Sequence, residues 1–270
     1  MATSLQVILN GELIPAAQAK ISPLSDGFLF GHGVFETLRA RHGQALQLEA
    51  HHARLAASCL ALGLDAPDSP DELGQRITRL LAALKLPQAA VKIVRFRDLS
   101  GTGELITARP LPYSHHDYLR GFRVKTLVQG DCTGRLTPHK TLNYLDNLLA
   151  RRAAQSEHGD EALFVTPDGR VLEGAVSTVF AVKDGVATTP PLADGVLPGV
   201  TRARVLALLG PERAREARLT LDDLRAADEI FLTNALMGVM PVCTLDDHKL
   251  PIHAPMITWL RTQFANQESA

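Results

Sequence analysis

Lys140 is the residue whose type and surroundings most suggest covalent chemistry. Lysine occurs 7 times against 21 arginines, and Lys140 directly precedes a segment with helical periodicity, Thr141 to about Gln155. A lysine at a helix N-terminus feels the positive end of the helix dipole, which favours its neutral amine. A neutral amine is what a lysine needs in order to bond to a carbonyl group or to transfer a proton. The alternative is an ordinary solvated lysine at a helix start.

Three further positions offer groups that hold charge. Glu173 stands directly before a strand that begins with glycine, and Arg54 lies on a helix with few other charges to pair with it. The turn Gly199-Val200-Thr201 opens a helix, and the backbone N–H groups of such a turn, with the threonine hydroxyl, can bind phosphate. Each position also has an ordinary alternative, because a threonine cap and a surface arginine need no ligand.

The composition is typical of a cytoplasmic globular enzyme. The 270 residues are 46% hydrophobic and 21% charged, with a net charge of -1, so we expect neither nucleic-acid nor membrane partners, which require clustered positive charge or long apolar runs. The first ten residues are too short and too polar for a signal peptide. Cys59, Cys132 and Cys243 are scattered without metal-ligand spacing. We therefore expect reduced thiols and no metal site.

The hydrophobic patterns predict an α+β protein with two α/β domains and largely antiparallel sheets. The clearest local signals are an Asn10-Gly11 hairpin, a strand from Val34 to Arg39, a helix from about Glu49 to Leu62, and a helix after Ser69-Pro70. A polar stretch begins at Pro110. We therefore expect a smaller N-terminal domain over residues 1–112, a linker over 113–120, and a larger C-terminal domain over 121–270 that carries Lys140.

Taken together and in order, these segments resemble the fold-type IV pyridoxal-phosphate enzymes, the class IV aminotransferase family. The resemblance covers nearly the whole chain and rests on Phe30-Gly31-His32-Gly33-Val34-Phe35-Glu36-Thr37, Arg54, Lys140-Thr141-Leu142-Asn143, Leu172-Glu173-Gly174, Leu197-Pro198-Gly199-Val200-Thr201 and Thr233-Asn234-Ala235. It implies the two-domain architecture of D-amino-acid aminotransferases, with pyridoxal 5'-phosphate between the domains. It also implies a homodimer.

The resemblance assigns a role in cofactor binding to several residues. Lys140 would bind the cofactor covalently and shuttle a proton, and Glu173 would pair with the pyridine nitrogen. The phosphate would be bound by Arg54, by the turn Gly199, Val200 and Thr201, and by the backbone of Asn234 and Ala235. Thr178 occupies a position where family members often have asparagine, and it would donate one hydrogen bond there.

The same resemblance points to substrate-contacting residues. Thr37 would assist Lys140 in proton removal, while Phe35, Arg39, Arg97 and Asn234 would contact the substrate. Arg97 would meet a substrate carboxylate, and the alternative is a surface strand arginine. The segment after Arg97, residues 98–104, is shorter than the glycine-rich loop expected there.

Within the family, the segment Thr233 to Cys243 is most similar to aminodeoxychorismate lyase of the Gram-negative type. This similarity implies conversion of 4-amino-4-deoxychorismate to 4-aminobenzoate and pyruvate, a step of folate biosynthesis. The alternative is a class IV aminotransferase acting on D-amino or branched-chain amino acids. A third possibility is a non-catalytic relative that only binds the cofactor, against which the intact pair Lys140 and Glu173 argues.

Overall fold

The computed structural model describes residues 5–129, 138–252 and 254–268. Its internal contacts divide the chain into two compact units. The N-terminal unit comprises Met1–Pro112 and His139–Asn143, and the C-terminal unit comprises Tyr113–Pro138 and Tyr144–Ala270. The short segment with Lys140 therefore groups with the N-terminal unit, whereas the sequence placed Lys140 in the C-terminal domain. The predicted domain bounds otherwise stay a prediction.

The N-terminal unit is built on one antiparallel sheet. Its strands are β1 (Gln6–Leu9), β2 (Glu12–Pro15), β3 (Gly33–Arg41), β4 (Gln44–Ala45), β5 (Gln88–Asp98) and β6 (Gly101–Arg109), and its helices are α1 (Asp26–Leu29), α2 (Leu48–Ala61) and α3 (Pro70–Leu84). The strand order is β2-β1-β6-β5-β3-β4. As predicted, β1 and β2 form a hairpin, with Asn10 and Gly11 at φ 50 and 84 in its turn.

Helices α2 and α3 cover one face of this sheet. Their apolar side chains, including Leu55, Ile77 and Leu80, pack with strand residues such as Val34 and Leu38 into one buried core. Helix α3 begins as the sequence predicts, because the Ser69 side chain and Glu72 form a reciprocal capping box with Pro70 in the first turn. The alternate residues of β3, β5 and β6 face away from this core.

The C-terminal unit contains a nine-stranded mixed sheet in the part of the chain that is described. Its strands are β7 (Phe122–Val128), β8 (Glu161–Val165), β9 (Val171–Gly174), β10 (Thr178–Lys183), β11 (Val186–Thr189), β12 (Ala214–Glu216), β13 (Glu229–Asn234), β14 (Gly238–Leu245) and β15 (His248–Lys249). The strand order is β12-β11-β10-β13-β14-β7-β8-β9, with β15 beside β14. The pairs β11–β12, β14–β7 and β7–β8 are parallel.

Helices pack against both faces of this second sheet. They are α4 (His115–Arg120), α5 (Leu145–Ser156), α6 (Val200–Arg213), α7 (Leu221–Arg225) and α8 (Pro255–Gln267). Side chains alternate between the two faces of β10 and β13, so each strand contributes to two cores. Phe180 and Phe231 stack with their ring centroids 4.9 Å apart in the core on the side of α6 and α8, whereas Val179 and Leu232 lie in the other core. The combination of helices and sheets confirms the α+β class. Within the described ranges, no helix is long and apolar enough to cross a membrane.

One local prediction was wrong, and the structure adds detail to two further segments. The helix expected from Thr141 begins only at Leu145, because backbone groups of the preceding residues bond to β3 instead. The segment expected to be a linker contains α4, and Tyr113 and Tyr118 pack against the core of the C-terminal unit. The segment after Arg97, which the sequence shows to be shorter than the glycine-rich loop of the family, is a tight hairpin, since β5 ends at Asp98 and β6 begins at Gly101.

Candidate active site

Lys140 lies in an extended segment that adds to the edge of β3. The backbone carbonyl of Lys140 accepts a hydrogen bond from the N–H of Phe35 at 2.8 Å, and the N–H of Leu142 donates to the carbonyl of Gly33 at 2.9 Å. Between them, Thr141 forms an antiparallel bridge with Val34. The helix-dipole argument for a neutral Lys140 amine therefore does not apply. Pairing with a strand holds this lysine instead.

The amine of Lys140 lies over an aromatic ring that it shares with a second lysine. Its Nζ is 4.5 Å from the centroid of the Phe35 ring, and Lys92 Nζ is 4.2 Å from the same centroid. Partial desolvation, together with the charge of Arg109, lowers the pKa of Lys92. The sequence interpretation missed Lys92. Strand alternation offered a signal, because Lys92 is an isolated cation between the buried residues Val91 and Ile93.

Strand register places most of the predicted substrate residues on one surface, which we call the Thr37 face. Antiparallel partners share a face, and Phe35, Thr37 and Arg39 pair with Val94, Lys92 and Ala90 of β5. These three residues of β5 pair in turn with Leu105, Thr107 and Arg109 of β6. The Thr37 face is the side of the sheet opposite the core under α2 and α3, and the nine residues just named define it.

Arg97 does not belong to the Thr37 face. It lies an odd number of residues from Lys92 along β5, so its side chain leaves the other side of the sheet. There its Nη2 donates a hydrogen bond to the carbonyl of Gly63, in the loop after α2. The structure therefore does not bring Arg97 together with Phe35, Thr37 and Arg39.

Arg54 is held by a buried carboxylate that the sequence interpretation missed. Its Nε and Nη2 each donate to an oxygen of Glu36 at 2.7 Å, and His51 Nδ1 lies 2.8 Å from Glu36 Oε2. Burial alone would raise the pKa of Glu36, but the hydrogen bonds and charges of Arg54 and His51 outweigh it and lower that pKa. The signal in the sequence was an acid inside the otherwise apolar run Val34-Phe35-Glu36.

In the C-terminal unit, Glu173 lies beside the turn that opens α6. Glu173 is half-buried at the end of β9, and its Oε2 accepts a hydrogen bond from the N–H of Leu197 at 3.0 Å. Leu197 is two residues before Gly199, the N-cap of α6. The structure thus brings together two of the predicted cofactor-binding elements, the acid and the Gly199-Val200-Thr201 turn.

The start of α6 has the features of an anion site. No side chain caps the helix at Gly199, and its first turn contains no acidic residue, so its first N–H groups point outward with the positive end of the helix dipole. A Cβ on Gly199 would lie 3.2 Å from Thr178 Oγ1. Glycine therefore lets the backbone approach buried Thr178. The neighbouring Thr233 hydroxyl, in register with Thr178, is buried without a hydrogen-bond partner among the described residues.

The side chain of Asn234 is fully used in shaping the end of β13. Its Oδ1 accepts from the N–H groups of Leu236 and Met237, both at 2.9 Å. Its Nδ2 donates to the carbonyl of Val176 at 3.1 Å and to the Tyr113 hydroxyl at 3.3 Å. Four hydrogen bonds exhaust a carboxamide. Any ligand contact at this position must therefore come from the backbone of Asn234 and Ala235.

Two groups near Glu173, the half-buried Tyr144 and the buried Glu161, were also missed. Tyr144 donates its hydroxyl hydrogen to the carbonyl of Ala175 at 2.9 Å, and its pKa is raised by burial and by the charges of Glu173 and Glu161. Glu161, on β8, is buried, and it accepts hydrogen bonds from Ser177 Oγ and from the N–H of Ala162, both at 3.1 Å. Burial raises the pKa of Glu161 to about 7.

These residues fit the cofactor that the resemblance implies. Pyridoxal phosphate requires an amine for its aldehyde, an acid for its pyridine nitrogen and donors for its phosphate. In the N-terminal unit Lys140 offers such an amine, and in the C-terminal unit Glu173 offers such an acid. The uncapped start of α6 with its glycine cradle, the unpartnered Thr233 hydroxyl and the oriented guanidinium of Arg54 are suitable phosphate donors.

Comparisons with known proteins agree with this chemistry. The family model described as amino-transferase class IV matches residues 33–245. A putative branched-chain-amino-acid aminotransferase of Methanocaldococcus jannaschii is 33% identical over 259 residues, which cover 90% of this chain and 88% of the relative. The D-alanine aminotransferase of Bacillus licheniformis is 29% identical over 275 residues, with 98% and 97% covered.

Solved structures share the fold. A hypothetical aminotransferase from Mycobacterium tuberculosis in its PLP-bound form has a TM-score of 0.87 and 26% identity, with 97% of this chain and 99% of that chain covered. A putative 4-amino-4-deoxychorismate lyase from Legionella pneumophila has a TM-score of 0.84 and 25% identity, with 93% and 96% covered. This chain belongs to the class IV aminotransferase family of fold-type IV enzymes, whose cofactor is pyridoxal phosphate.

Proposed function

We propose that this protein is an aminotransferase that moves the amino group of a D-amino or branched-chain amino acid to a keto acid. This was the alternative at the sequence level, and it now replaces the lyase as the main proposal. Support comes from relatives named as branched-chain and D-alanine aminotransferases, which align over at least 88% of both chains. The observation that carries the choice is the position of Arg97.

The sequence analysis named Arg97 as a candidate contact for a substrate carboxylate, and it noted that the segment after Arg97 is shorter than the glycine-rich loop expected there. Arg97 instead lies on the core side of the sheet, bonded to the Gly63 carbonyl, and the loop is a tight hairpin between Asp98 and Gly101. Arg97 is therefore absent from the Thr37 face, and the short hairpin after it supports the aminotransferase over the lyase.

Residues of the N-terminal unit would bind the cofactor phosphate and transfer a proton. Lys140, held by β3 through its backbone, would carry the proton between the amino-bearing carbon and its own Nζ, with the Thr37 hydroxyl as a nearby hydrogen-bonding group. Phe35 would exclude water from the amine, since its ring is buried and faces Lys140 Nζ at 4.5 Å. Arg54 would bind the cofactor phosphate while Glu36 orients its guanidinium.

The residues of the C-terminal unit would hold the cofactor in one orientation. When bound, pyridoxal phosphate withdraws electrons from the bond that breaks at the substrate's amino-bearing carbon. Glu173 would keep a proton at the pyridine nitrogen, and the hydrogen bond from Leu197 fixes its carboxylate for that role. Gly199, Val200, Thr201 and the backbone of Asn234 and Ala235 would bind the phosphate, with Thr178 behind Gly199.

We also infer that the enzyme is a homodimer, as the resemblance implied. Apolar side chains of the N-terminal unit are exposed around α1, with Phe28 and Phe30 each 70% and Leu24 68% exposed. Apolar surface of this kind is typical of protein interfaces. Light scattering after gel filtration should give twice the 29.2 kDa chain mass. A monomer at micromolar concentration would contradict this inference.

The second candidate is an aminodeoxychorismate lyase, the activity that the sequence analysis expects. It is favoured by the structural likeness to the Legionella protein and by the sequence from Thr233 to Cys243. Both candidates use the same cofactor and the same lysine. They differ in whether a keto acid is consumed.

Steady-state assays separate the two candidates. The purified holoenzyme is given D-alanine or L-leucine with 2-oxoglutarate, and separately 4-amino-4-deoxychorismate without any keto acid. We expect amino transfer in the first assays, with a strict requirement for the keto acid. Many turnovers of pyruvate and 4-aminobenzoate from 4-amino-4-deoxychorismate, with no amino transfer, would instead establish the lyase.

A further inference from the structure

His139, the residue directly before Lys140, is held by a buried serine of α2. Its ring Nδ1 lies 3.0 Å from Ser58 Oγ. Ser58 is buried on α2, whereas His139 is half-buried. Both residues belong to the N-terminal unit. A side-chain contact therefore joins the chain next to the proposed reactive lysine to a helix that is 81 residues away in sequence.

Ser58 continues a polar row along α2. His51, Arg54 and Ser58 are three and four residues apart, which places them on one face of the helix. His51 and Arg54 both hydrogen-bond to Glu36 of β3, and the next polar residue of the row contacts His139. One helix face therefore holds both the arginine proposed for the cofactor phosphate and the segment that carries Lys140.

Two kinds of contact hold Lys140 from its two sides. The backbone bonds to β3 involve the carbonyl of Lys140 and the N–H of Leu142, which come after the Lys140 Cα, whereas the His139 ring acts before that Cα. The N–H of Thr141 also donates to the carbonyl of His139 at 3.1 Å, which closes a tight turn around Lys140. With both ends of this turn anchored, few backbone conformations remain for Lys140.

Loss of the anchor before Lys140 would act on the amine and on no other part of the site. A residue released at one end samples several backbone conformations, and only some of them direct the amine over the Phe35 ring, where Nζ lies 4.5 Å from the centroid. Bond formation at that amine depends on the fraction of time that the amine spends in position. A cofactor contact that does not involve the amine is independent of this fraction.

We propose that His139 is a positioning residue, which fixes the backbone before Lys140 through Ser58 and so presents the lysine amine for covalent bonding to the cofactor aldehyde. The inference rests on the proposed role of Lys140 and deepens it. It applies to either candidate reaction, since both use the same lysine. His139 acts through the main chain and through α2.

Two probes that differ in one aldehyde separate positioning from general damage to the site. Pyridoxal 5'-phosphate can bond to a lysine, whereas 4'-deoxypyridoxine 5'-phosphate can bind only non-covalently. When the first is added in saturating amount to cofactor-free enzyme, lysine-dependent visible absorption should develop at least about fivefold more slowly in His139→Ala than in wild type. The Kd of the second, measured by calorimetry, should stay within about twofold. His139→Asn keeps a polar atom close to the position of Nδ1 and should restore the rate of attachment to within about twofold of wild type.

Ser58→Ala and the double variant show whether the contact itself is responsible. Ser58→Ala should slow attachment as much as His139→Ala, and the double variant should be no slower than either single variant, because all three lose the same contact. The matched control is His52→Ala, in which another half-buried histidine of the same unit loses its contact with the carbonyl of Asp68. It should not alter the rate of attachment.

The role of His139 would be overturned by an unchanged rate of attachment in His139→Ala, by a comparable loss of affinity for the deoxy analogue, or by losses that multiply in the double variant. Should His139→Ala not fold, Ser58→Ala gives the same comparison. The measurement requires no amino transfer. If wild-type enzyme attaches pyridoxal 5'-phosphate yet transfers no amino group, the proposed function fails, and the rates of attachment still decide the role of His139.

Discussion

The backbone carbonyl of Lys140 accepts a hydrogen bond from the backbone N–H of Phe35 at 2.8 Å. Strand pairing therefore ties Lys140, the proposed reactive lysine, to the same strand that presents Phe35 and Thr37. The backbone bond fixes the base of the Lys140 side chain, and the contact of its Nζ with the Phe35 ring at 4.5 Å locates the amine; proton transfer requires geometric precision of this kind. The relationship also explains why the segment His139–Asn143 groups with the N-terminal unit.

Replacement of Lys140 by alanine should abolish covalent cofactor binding and leave the fold intact. The backbone hydrogen bonds to Phe35 and Gly33 do not depend on the side chain, so thermal unfolding should shift by only a few degrees. Visible absorption after gel filtration should show no covalently held cofactor, and amino transfer should be lost. Lys125→Ala, outside the site, serves as the control. A Lys140→Ala protein with normal absorption and turnover would remove the basis for the assigned role.

Gly33 should tolerate no side chain. A Cβ there would lie 2.6 Å from the backbone carbonyl of Arg95 and 2.6 Å from Leu142 Cδ1. Gly33→Ala should lower the free energy of unfolding by about 1–3 kcal/mol, because the backbone of β5 must move, and it should also reduce kcat through Lys140. Gly74→Ala in α3, where the nearest atom is the flexible Leu48 Cδ2 at 3.1 Å, should change stability by less than about 1 kcal/mol. Urea unfolding measures both, and equal effects would contradict the steric argument.

Glu36→Gln should weaken cofactor binding and acid stability together. Glu36 and Arg54 form a buried pair with two 2.7 Å hydrogen bonds, and breaking such a pair costs about 3–5 kcal/mol. Because the pKa of Glu36 is lowered in the folded protein, its ionised form stabilises the fold at neutral pH. That stabilisation is lost as the pH falls below the ordinary glutamate pKa of 4.5.

The cofactor dissociation constant of Glu36→Gln should rise about tenfold, and its unfolding free energy should depend less on pH in the acid range. Glu49→Gln, exposed at the start of α2, is the matched control. If the two variants bind the cofactor equally well, Glu36 does not orient Arg54.

Glu161 should make the protein less stable as the pH rises towards neutrality. Its pKa is about 7 in the fold against an ordinary value of 4.5, so the folded state holds an extra proton between these values. The unfolding free energy should fall across that window by about 3 kcal/mol from this group and then level off above about pH 7. Glu161→Gln should flatten that slope. Urea titrations from pH 4.5 to 8 measure the unfolding free energy, with Glu157→Gln as the control. If Glu161→Gln and Glu157→Gln gave the same dependence of unfolding free energy on pH, the role of Glu161 would be refuted.

Local chemistry was enough to predict many elements from the sequence. Asn10 and Gly11 suit the positive φ angles of a tight hairpin, and Ser69 with Pro70 and Glu72 forms a capping box that depends on near neighbours alone. The helical spacing of apolar residues predicted α2, because this pattern also depends on near neighbours alone. The grouping of Glu173 with the Gly199 turn came from the resemblance to the family and not from local interactions, since Glu173 and its hydrogen-bond partner Leu197 are 24 residues apart.

Contacts between distant segments were beyond the reach of sequence patterns. The residues before α5 have helical periodicity, yet their backbone groups bond to β3, more than a hundred residues away. Glu36 and Arg54 are partners only because α2 packs over β3. The alternation of side chains along β5 could have shown that Arg97 and Lys92 lie on opposite faces of the sheet. It could not show which of the two faces packs against the core. Thr137 and Cys132 lie outside the described residues.

The most direct test of the proposed amino transfer is a single half-reaction. The holoenzyme is mixed with D-alanine or L-leucine in the absence of any keto acid, and the keto acid released is measured per subunit. We predict one equivalent per subunit, released once, and further turnover only when 2-oxoglutarate is added. No release from any amino acid, together with continuous pyruvate production from 4-amino-4-deoxychorismate, would contradict the account.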